Sequence, residues 1–301
     1  MLFLAAAIWG VAFVAQSVGM EYMGPCTFNA ARFLIGGIVL LPFIWYRERS
    51  VGREKKASVK KADAGEKKAE RKQLLTGGIC CGLALCAASL LQQTGIQYTT
   101  VGKAGFITTL YIIIVPILSV FLHQKISSKV WGGALIAVVG MYLLCMSGSL
   151  ALGKGDSLVL GCAFLFSIHI LVVDYFSPRV DSVKLSCIQF LTSGVICTAL
   201  AFLTETPSIG ALLSGAVPVL YAGVLSCGVA YTLQVVGQKN VEPTIASLLL
   251  SLESVVSVLA GWVILGQRLS ARELFGCALV FTAVILVQLP EKKVKNAAPL
   301  L

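Results

Sequence analysis

The sequence predicts an all-α integral membrane protein, with ten transmembrane helices arranged as two inverted five-helix repeats. First, its 301 residues are 57% hydrophobic and 13% charged, with a mean hydropathy of +0.88, which is too apolar for a soluble domain of this length. Second, ten apolar segments of spanning length follow one another along the chain. Third, Lys and Arg collect in every second loop, as expected for helices that cross a membrane in alternating directions.

Each apolar segment is separated from the next by a polar turn or loop. The first starts at residue 2 without the basic region of a cleaved signal peptide, so we interpret it as a spanning helix. Pro116 predicts a kink inside the fourth segment, and Pro218 is a second candidate in the eighth. The predicted bounds are 2–18, 25–45, 74–91, 101–122, 130–146, 157–173, 182–202, 213–236, 244–265 and 271–289.

The distribution of Lys and Arg predicts the orientation. Four residues lie in the loops on one side and Arg32 lies inside the second helix, while 19 of the 24 basic residues lie on the other side. The positive-inside rule therefore predicts a protein of the cell membrane with both termini in the cytoplasm. The basic side consists of the loops 46–72, 123–130, 174–184 and 237–242 and the tail 291–301.

The longest loop, 46–72, mixes eleven cations with five acids and has no hydrophobic period. It is predicted to be a disordered cytoplasmic linker, with contact to anionic lipid headgroups as the alternative. Because the net charge of +10 is concentrated in such loops, it indicates membrane orientation and does not indicate a nucleic-acid partner.

The two halves of the chain can be aligned with each other. Residues 32–34 match 189–191 at an offset of 157, and 125–127 match 268–270 at an offset of 143. Since each half holds five helices, an odd number, the second half must enter the membrane upside down, and the solute site is expected between the halves near the midplane. The predicted units are a first repeat at 1–147, a second at 155–290 and a cytoplasmic tail at 291–301.

One acid lies in the middle of a predicted span. Glu253 follows Pro243 by ten residues, which places it near the bilayer midplane. A carboxylate there costs about 2.5–3.5 kcal/mol on insertion scales, so such residues usually face a bundle interior or a wet cavity. We interpret Glu253 as an ion-coupling residue. The alternative is a protonated or hydrogen-bonded carboxyl that only ties helices together.

Two further ionisable side chains inside spans have functional interpretations. Arg32 is a candidate counter-ion to Glu253 or to an anionic solute group, and the alternative is that it snorkels to the headgroups. His169 is the only histidine inside a predicted span. It is a candidate ion-coupling residue together with Glu253, because histidine titrates near neutral pH; the alternative is a satisfied packing residue.

Neutral polar and aromatic side chains complete the candidate solute site. Thr108 and Tyr111 share a helix face, as do Tyr231 and Gln234. The alternatives are a threonine hydroxyl bonded to its own helix, amides that are merely hydrated at helix ends, and, for Trp9, anchoring at the membrane interface. The solute-contact candidates are Trp9, Gln16, Arg32, Gln92, Gln93, Thr108, Tyr111, Tyr231 and Gln234.

Three stretches of the chain carry a family resemblance. Residues 246–270 read AxxxxSLExxxxxLxGWxxLGxxLS, residues 102–122 read GKAGFITTLYIIIVPILSVFL, and the first two helices contain Ala-Ile-Trp-Gly at 7–10 and Arg-Phe at 32–33. Together they resemble the EamA-type family of the drug/metabolite transporter superfamily over nearly the whole chain. The chain departs from that pattern at Ser254, where the family commonly has proline, and at Gln267, where it commonly has glutamate.

The resemblance implies a secondary transporter that exports or exchanges amino acids, related metabolites or drugs through a central cavity by alternating access. If transport is coupled to a proton, Glu253 and His169 are the candidate residues that carry it. The resemblance implies membrane lipid and a small-molecule solute as partners. With both halves in one chain, a monomer suffices, and a homodimer is allowed.

The sequence gives less support to other functional classes. The sequence contains no nucleotide-binding motif that would indicate ATP as a direct energy source. It also contains no HExxH motif or paired-acid spacing that would indicate an enzyme. The ten cysteines lie mostly in apolar segments without CxxC spacing, so neither a metal nor another cofactor is expected. A membrane sensor or scaffold on the same fold stays open as the alternative.

Overall fold

The computed structural model describes residues 1–55, 64–99, 101–145, 153–265 and 270–288. The regular structure in these ranges is helical, as expected for a chain that must satisfy its backbone hydrogen bonds in lipid. The bounds are α1 Leu2–Gly19, α2 Pro25–Lys55, α3 Ala64–Ile96, α4 Val101–Thr109, α5 Tyr111–Phe121, α6 Ser128–Cys145, α7 Lys154–Phe176, α8 Ser182–Thr204, α9 Ile209–Ser214, α10 Ala216–Leu220, a π-helix Tyr221–Tyr231, α11 Thr232–Gln238, α12 Pro243–Leu250, α13 Leu252–Leu265 and α14 Ala271–Gln288.

Within the described ranges, eight helical stretches are long and apolar enough to cross a membrane, by length and composition. They coincide with eight of the ten predicted segments. The fifth predicted segment corresponds to α6, where Ser128–Leu143 forms a shorter apolar helix, and the tenth corresponds to α14.

The predicted linker at 46–72 is helical at both ends, which corrects the prediction. Helix α2 continues to Lys55 and α3 begins at Ala64. Both ends are rich in Arg, Lys, Glu and Ala, which favour helix even without an apolar face. Residues 56–63 and the tail at 291–301 lie outside the described residues.

Two spans are interrupted near their middles. The fourth breaks at Leu110, between α4 and α5, and the ninth breaks at Ser251, between α12 and α13. The hydroxyl of Thr109 donates to the carbonyl oxygen of Gly105 at 2.9 Å, and that of Ser251 donates to the carbonyl of Leu248 at 2.8 Å. Such local bonds compete with the regular helix ladder.

The break in the fourth span does not coincide with its proline. Pro116 lies inside α5, six residues beyond Leu110, and the kink at Pro116 stays a prediction. In the eighth span, Pro218 lies in α10, and the chain then changes to a π-helix at Tyr221. π-helices are rare and often accompany functional sites.

Helices α2 and α8 run antiparallel and are joined at both ends. The Glu205 carboxylate, just after α8, accepts hydrogen bonds from the backbone amides of Cys26 and Thr27 at 2.7 and 2.8 Å. At the opposite end, Glu48 pairs with Lys184 at 2.5 Å, and Arg47 pairs with Asp181. Polar contacts therefore join the two helices at both ends.

The contacts between α2 and α8 are reciprocal. Phe33 and Phe190, 157 residues apart, stack with ring centroids 6.4 Å apart and planes at 10°. A Cβ at Gly37 would lie 2.9 Å from the Leu191 side chain, and one at Gly194 would lie 2.8 Å from that of Leu34. Each residue in one contact lies 157 positions from its counterpart in the other, as in an interface related by a two-fold axis.

A second reciprocal contact joins α6 and α14. A Cβ at Gly140 would lie 2.8 Å from the carbonyl oxygen of Gly276, and one at Gly133 would lie 3.4 Å from that of Ala283. These residues are related by an offset of 143. Small residues let the two backbones approach closely, as is common between helices in membranes.

Candidate functional site

A cavity with polar side chains in its wall lies at the centre of the bundle, with an empty volume of about 490 Å³ including its open mouth. Its walls come from both halves of the chain and include both interrupted spans. The lining residues are Trp9, Phe13, Gln16, Arg32, Gln92, Thr108, Tyr111, Phe166, His169, Ile170, Ser226, Tyr231, Gln234, Leu250 and Glu253.

The Arg32 side chain is buried at the cavity wall. It is 1% exposed, so it does not snorkel to the surface of the bundle. Its guanidinium carbon lies 4.8 Å from the centre of the Phe33 ring, and Nε and Nη2 have no hydrogen-bond partner. A buried guanidinium with unused donors can accept a carboxylate or another planar anion through paired hydrogen bonds.

Glu253 lies at the start of α13, two residues beyond the break at Ser251. It is 5% exposed, and its Oε1 accepts a hydrogen bond of 3.0 Å from the Tyr111 hydroxyl. Tyr111 is the first residue of α5, directly after the break at Leu110. The two interrupted spans therefore meet through the side chains that follow their breaks.

The guanidinium of Arg32 and the carboxyl of Glu253 share the cavity without forming an ion pair. An ion pair requires an N···O distance of at most 4.0 Å, and the Arg32 and Glu253 side chains do not come that close. The cavity thus presents a cationic group and an acidic group separately, so a solute that carries both charges could bind each one.

His169 is fully buried in α7 at the cavity wall. Its Nε2 lies 3.0 Å from Oε1 of Gln189, and the tautomer with its hydrogen on Nε2 donates to this oxygen. Nδ1 has no hydrogen-bond partner and is an acceptor in that tautomer.

Aromatic side chains form one wall. Trp9 donates from its indole nitrogen to the carbonyl of Ser226 at 3.3 Å, and its ring meets the Tyr231 ring edge-on at 4.5 Å. Tyr231 also contacts His169, with ring centroids 6.1 Å apart. Trp9 is therefore placed inside the bundle, against the π-helix.

The amide and hydroxyl candidates divide into two groups. Gln92 donates to the Thr108 hydroxyl at 3.3 Å, and both line the cavity. Gln16 and Gln234 line it with Oε1 atoms that have no partner. Gln93 does not line it: its Nε2 donates to the backbone carbonyl of Gln16 at 3.0 Å and joins α3 to α1.

Five lining residues were not predicted, and three of them lie at helical spacing from residues that were. Phe13 falls one turn after Trp9, and Phe166 lies three positions before His169. Ile170 directly follows His169, a spacing that does not predict a shared face. Ser226 lies five positions before Tyr231, and residues at this spacing share a face in a π-helix but not in an α-helix. Leu250 precedes the break at Ser251, and nothing in its local sequence marks it.

Among the described residues, no group of three or more His, Cys, Asp or Glu side chains is arranged to hold a metal ion. Cys86 and Cys197 lie with their sulfur atoms 3.6 Å apart, and the nine cysteines whose side chains are described are all free thiols.

Comparison with known proteins agrees with this architecture. The sequence profile of the EamA-like transporter family matches residues 1–146 and 153–289. An uncharacterized transporter of Archaeoglobus fulgidus is 29% identical over 289 residues, covering 96% of this chain and 84% of that protein. An uncharacterized inner membrane transporter of Escherichia coli is 24% identical over 300 residues, covering 96% and 89%.

A solved crystal structure shares the fold. It superposes with a TM-score of 0.69 at 19% sequence identity and covers 94% of this chain and 96% of its own. Because two profile matches together cover nearly the whole chain, and the described structure is a bundle of apolar helices, the chain belongs to the EamA-like transporter family and is a multi-pass membrane protein.

Proposed function

We propose that the protein is a secondary transporter that exports or exchanges small organic metabolites, with amino acids as the leading solute class. One observation carries the proposal. The central cavity holds a buried guanidinium with two unused nitrogen donors and, separately, a buried carboxyl, Arg32 and Glu253. Buried polar groups without partners are costly, which favours a site that a polar solute or water fills during the transport cycle.

The pattern of unused atoms fits a zwitterion. Arg32 offers donors to a carboxylate, and the Oε1 atoms of Gln16 and Gln234 and the Nδ1 atom of His169 are unused acceptors for an ammonium group. The aromatic rings of Trp9 and Tyr231 give an apolar side chain a surface to pack on.

Glu253 is the proposed proton carrier. Its carboxyl is buried and is held by the Tyr111 hydroxyl. A proton bound at this carboxyl removes its negative charge, so uptake and release of the proton would change the attraction of the cavity for a cationic solute group. His169, which also lines the cavity and has a ring nitrogen without a partner, is the proposed second ion-coupling residue.

Alternating access between two inverted five-helix repeats, 1–147 and 155–290, is the proposed mechanism. The reciprocal contacts of α2 with α8 at an offset of 157, and of α6 with α14 at 143, support the repeat. The two central breaks at Leu110 and Ser251 fall in corresponding spans, the fourth of each half. The proposal keeps ten membrane crossings with both termini in the cytoplasm.

Uptake into proteoliposomes tests this function. A panel of radiolabelled amino acids, nucleosides and organic cations is offered with and without an imposed pH gradient, to the parent and to Glu253→Gln. We expect one solute class to accumulate and the pH gradient to drive it only in the parent. Transport by Glu253→Gln with an unchanged pH response would refute the coupling role.

The sensor or scaffold alternative is separated by a binding measurement on the same panel. A transporter binds its solute and moves it across the bilayer, whereas a sensor binds a solute without flux. Binding without flux in the parent, at any pH gradient, would therefore argue against transport and in favour of the sensor.

A further inference from the structure

A second polar groove lies at one end of the bundle, where the turn after α5 meets the end of α7 and the turn between α11 and α12. It has an empty volume of about 890 Å³, open solvent at its mouth included. Its walls carry charges of both signs, from Lys125, Lys239, Asp174 and Glu242. None of these four side chains forms an ion pair within 4.0 Å with another described residue.

Gln238 lies between this groove and the central cavity. It lines the groove, yet only 1% of its surface is exposed. Its Nε2 donates a hydrogen bond of 3.3 Å to the backbone carbonyl of Ile170, which lines the central cavity. Its Oε1 has no hydrogen-bond partner. One buried amide therefore contacts both compartments and has an acceptor left over.

Helix α11 connects the two compartments through a pair of glutamines. Gln234 lines the central cavity and Gln238 lines the groove. Four residues apart, they share one face of the helix and are separated by about one turn, roughly 5.4 Å. Both Oε1 atoms are without partners. Two amide oxygens without partners along one buried face are costly in a closed bundle, but they suit a path that becomes hydrated when it opens.

We propose that the groove is a vestibule that binds the transported solute before it enters the central cavity, and that Gln238 closes the passage between them through its bond to Ile170. The inference rests on the proposed transport function and extends it to a second solute site. The ligand class is a small organic molecule that carries both a carboxylate and an ammonium group. The two lysines attract the first, and Asp174 and Glu242 attract the second.

The passage is tested without knowing the solute, by thiol accessibility. The reporter is Gln234→Cys in the full chain, treated in membrane vesicles with a membrane-impermeant cationic methanethiosulfonate, with labelling followed by mass spectrometry. Adding Gln238→Ala removes the closing bond, and the loss of one hydrogen bond predicts labelling about five- to tenfold faster. The rise is expected in one vesicle orientation only, the one that exposes the groove.

The matched control is Val235→Ala in the same reporter chain. Val235 is fully buried on α11 and lines neither compartment, so its truncation removes bulk without opening the passage. An equal rise with Val235→Ala, or no rise with Gln238→Ala, overturns the closing role. If Gln238→Ala does not insert, Gln238→Asn serves instead, because its shorter amide does not reach Ile170.

The charge selectivity of the groove is tested with two reagents of opposite sign. The starting chain carries Gln234→Cys and Gln238→Ala. Adding Lys125→Gln and Lys239→Gln to it should lower the rate of labelling by an anionic methanethiosulfonate several-fold relative to the rate with the cationic reagent. Lys72→Gln, an exposed lysine outside the groove, should leave that ratio unchanged. Equal ratios in all variants overturn the vestibule.

Failure of the vestibule and failure of the proposed function give different results. The labelling assay needs no solute, so an unchanged labelling rate alongside normal solute uptake refutes the vestibule alone. A rise in labelling, together with a panel member that binds the parent without flux, counts against the transport function but supports the passage.

Discussion

The hydroxyl of Tyr111 donates a hydrogen bond of 3.0 Å to the carboxyl of Glu253 across 142 residues of sequence. Each residue lies just beyond a break in its span, at Leu110 and at Ser251. The bond therefore joins the two irregular points of the bundle at the cavity wall.

The first prediction concerns this bond. Tyr111→Phe removes the hydroxyl and keeps the ring, so Glu253 loses its hydrogen-bond donor. A hydrogen bond of this kind contributes about 0.5–1.5 kcal/mol, which predicts a fall in solute flux of about two- to tenfold. Initial rates in proteoliposomes measure it. Tyr142→Phe, whose ring packs on Phe106 away from the cavity, is the control, and equal rates for both variants would contradict a role for the hydroxyl.

The second prediction concerns recognition of an anionic solute group by Arg32. Arg32→Lys keeps the charge but loses the planar fork of donors, and we expect the Kd of the solute to rise about tenfold or more. Isothermal titration on the purified chain measures it. Arg49→Lys, at an exposed arginine stacked on Trp45, is the control. Unchanged affinity in Arg32→Lys would show that the guanidinium geometry is not used.

The third prediction concerns the tie between α8 and α2. Glu205→Ala leaves the backbone amides of Cys26 and Thr27 without their acceptor, and we expect a loss of about 1–3 kcal/mol in stability. A thiol-reactive dye follows unfolding in detergent, because buried cysteines become reactive as the bundle opens. Glu21→Ala, at an exposed glutamate near the same end, should leave the unfolding midpoint unchanged. An equal drop in the unfolding midpoints of Glu205→Ala and Glu21→Ala would assign the effect to the loss of a surface charge.

The fourth prediction concerns the close approach of α6 and α14. Gly140→Ala places a Cβ 2.8 Å from the carbonyl oxygen of Gly276, and overpacking of this kind costs about 1–3 kcal/mol. Gly132→Ala is in the same helix and meets nothing within 4 Å, so it should be neutral or stabilising by up to about 1 kcal/mol. Unfolding midpoints of the two variants, measured side by side, should move apart. A common shift would contradict close backbone packing here.

Much of the candidate site could be predicted because lipid makes polar side chains in spans conspicuous. Arg32, His169 and Glu253 stand out against apolar neighbours, and the structure places all three around one cavity. Gln93 is an exception. It looks like its neighbour Gln92, but adjacent residues on a helix point in different directions, and only the packing of α3 shows that Gln93 faces α1.

The amino-acid sequence by itself determined the family, the membrane class and the apolar segments, because hydropathy over a span and short motifs are local properties that need no tertiary contact. Only the tertiary structure decided where spans are interrupted, which side chains remain without partners and which distant residues meet. Leu110 and Ser251 carry no breaking signal as strong as that of Pro116, yet the breaks lie there. Breaks and pairings depend on competing hydrogen bonds and packing between helices far apart in sequence, and these are fixed only when the helices assemble.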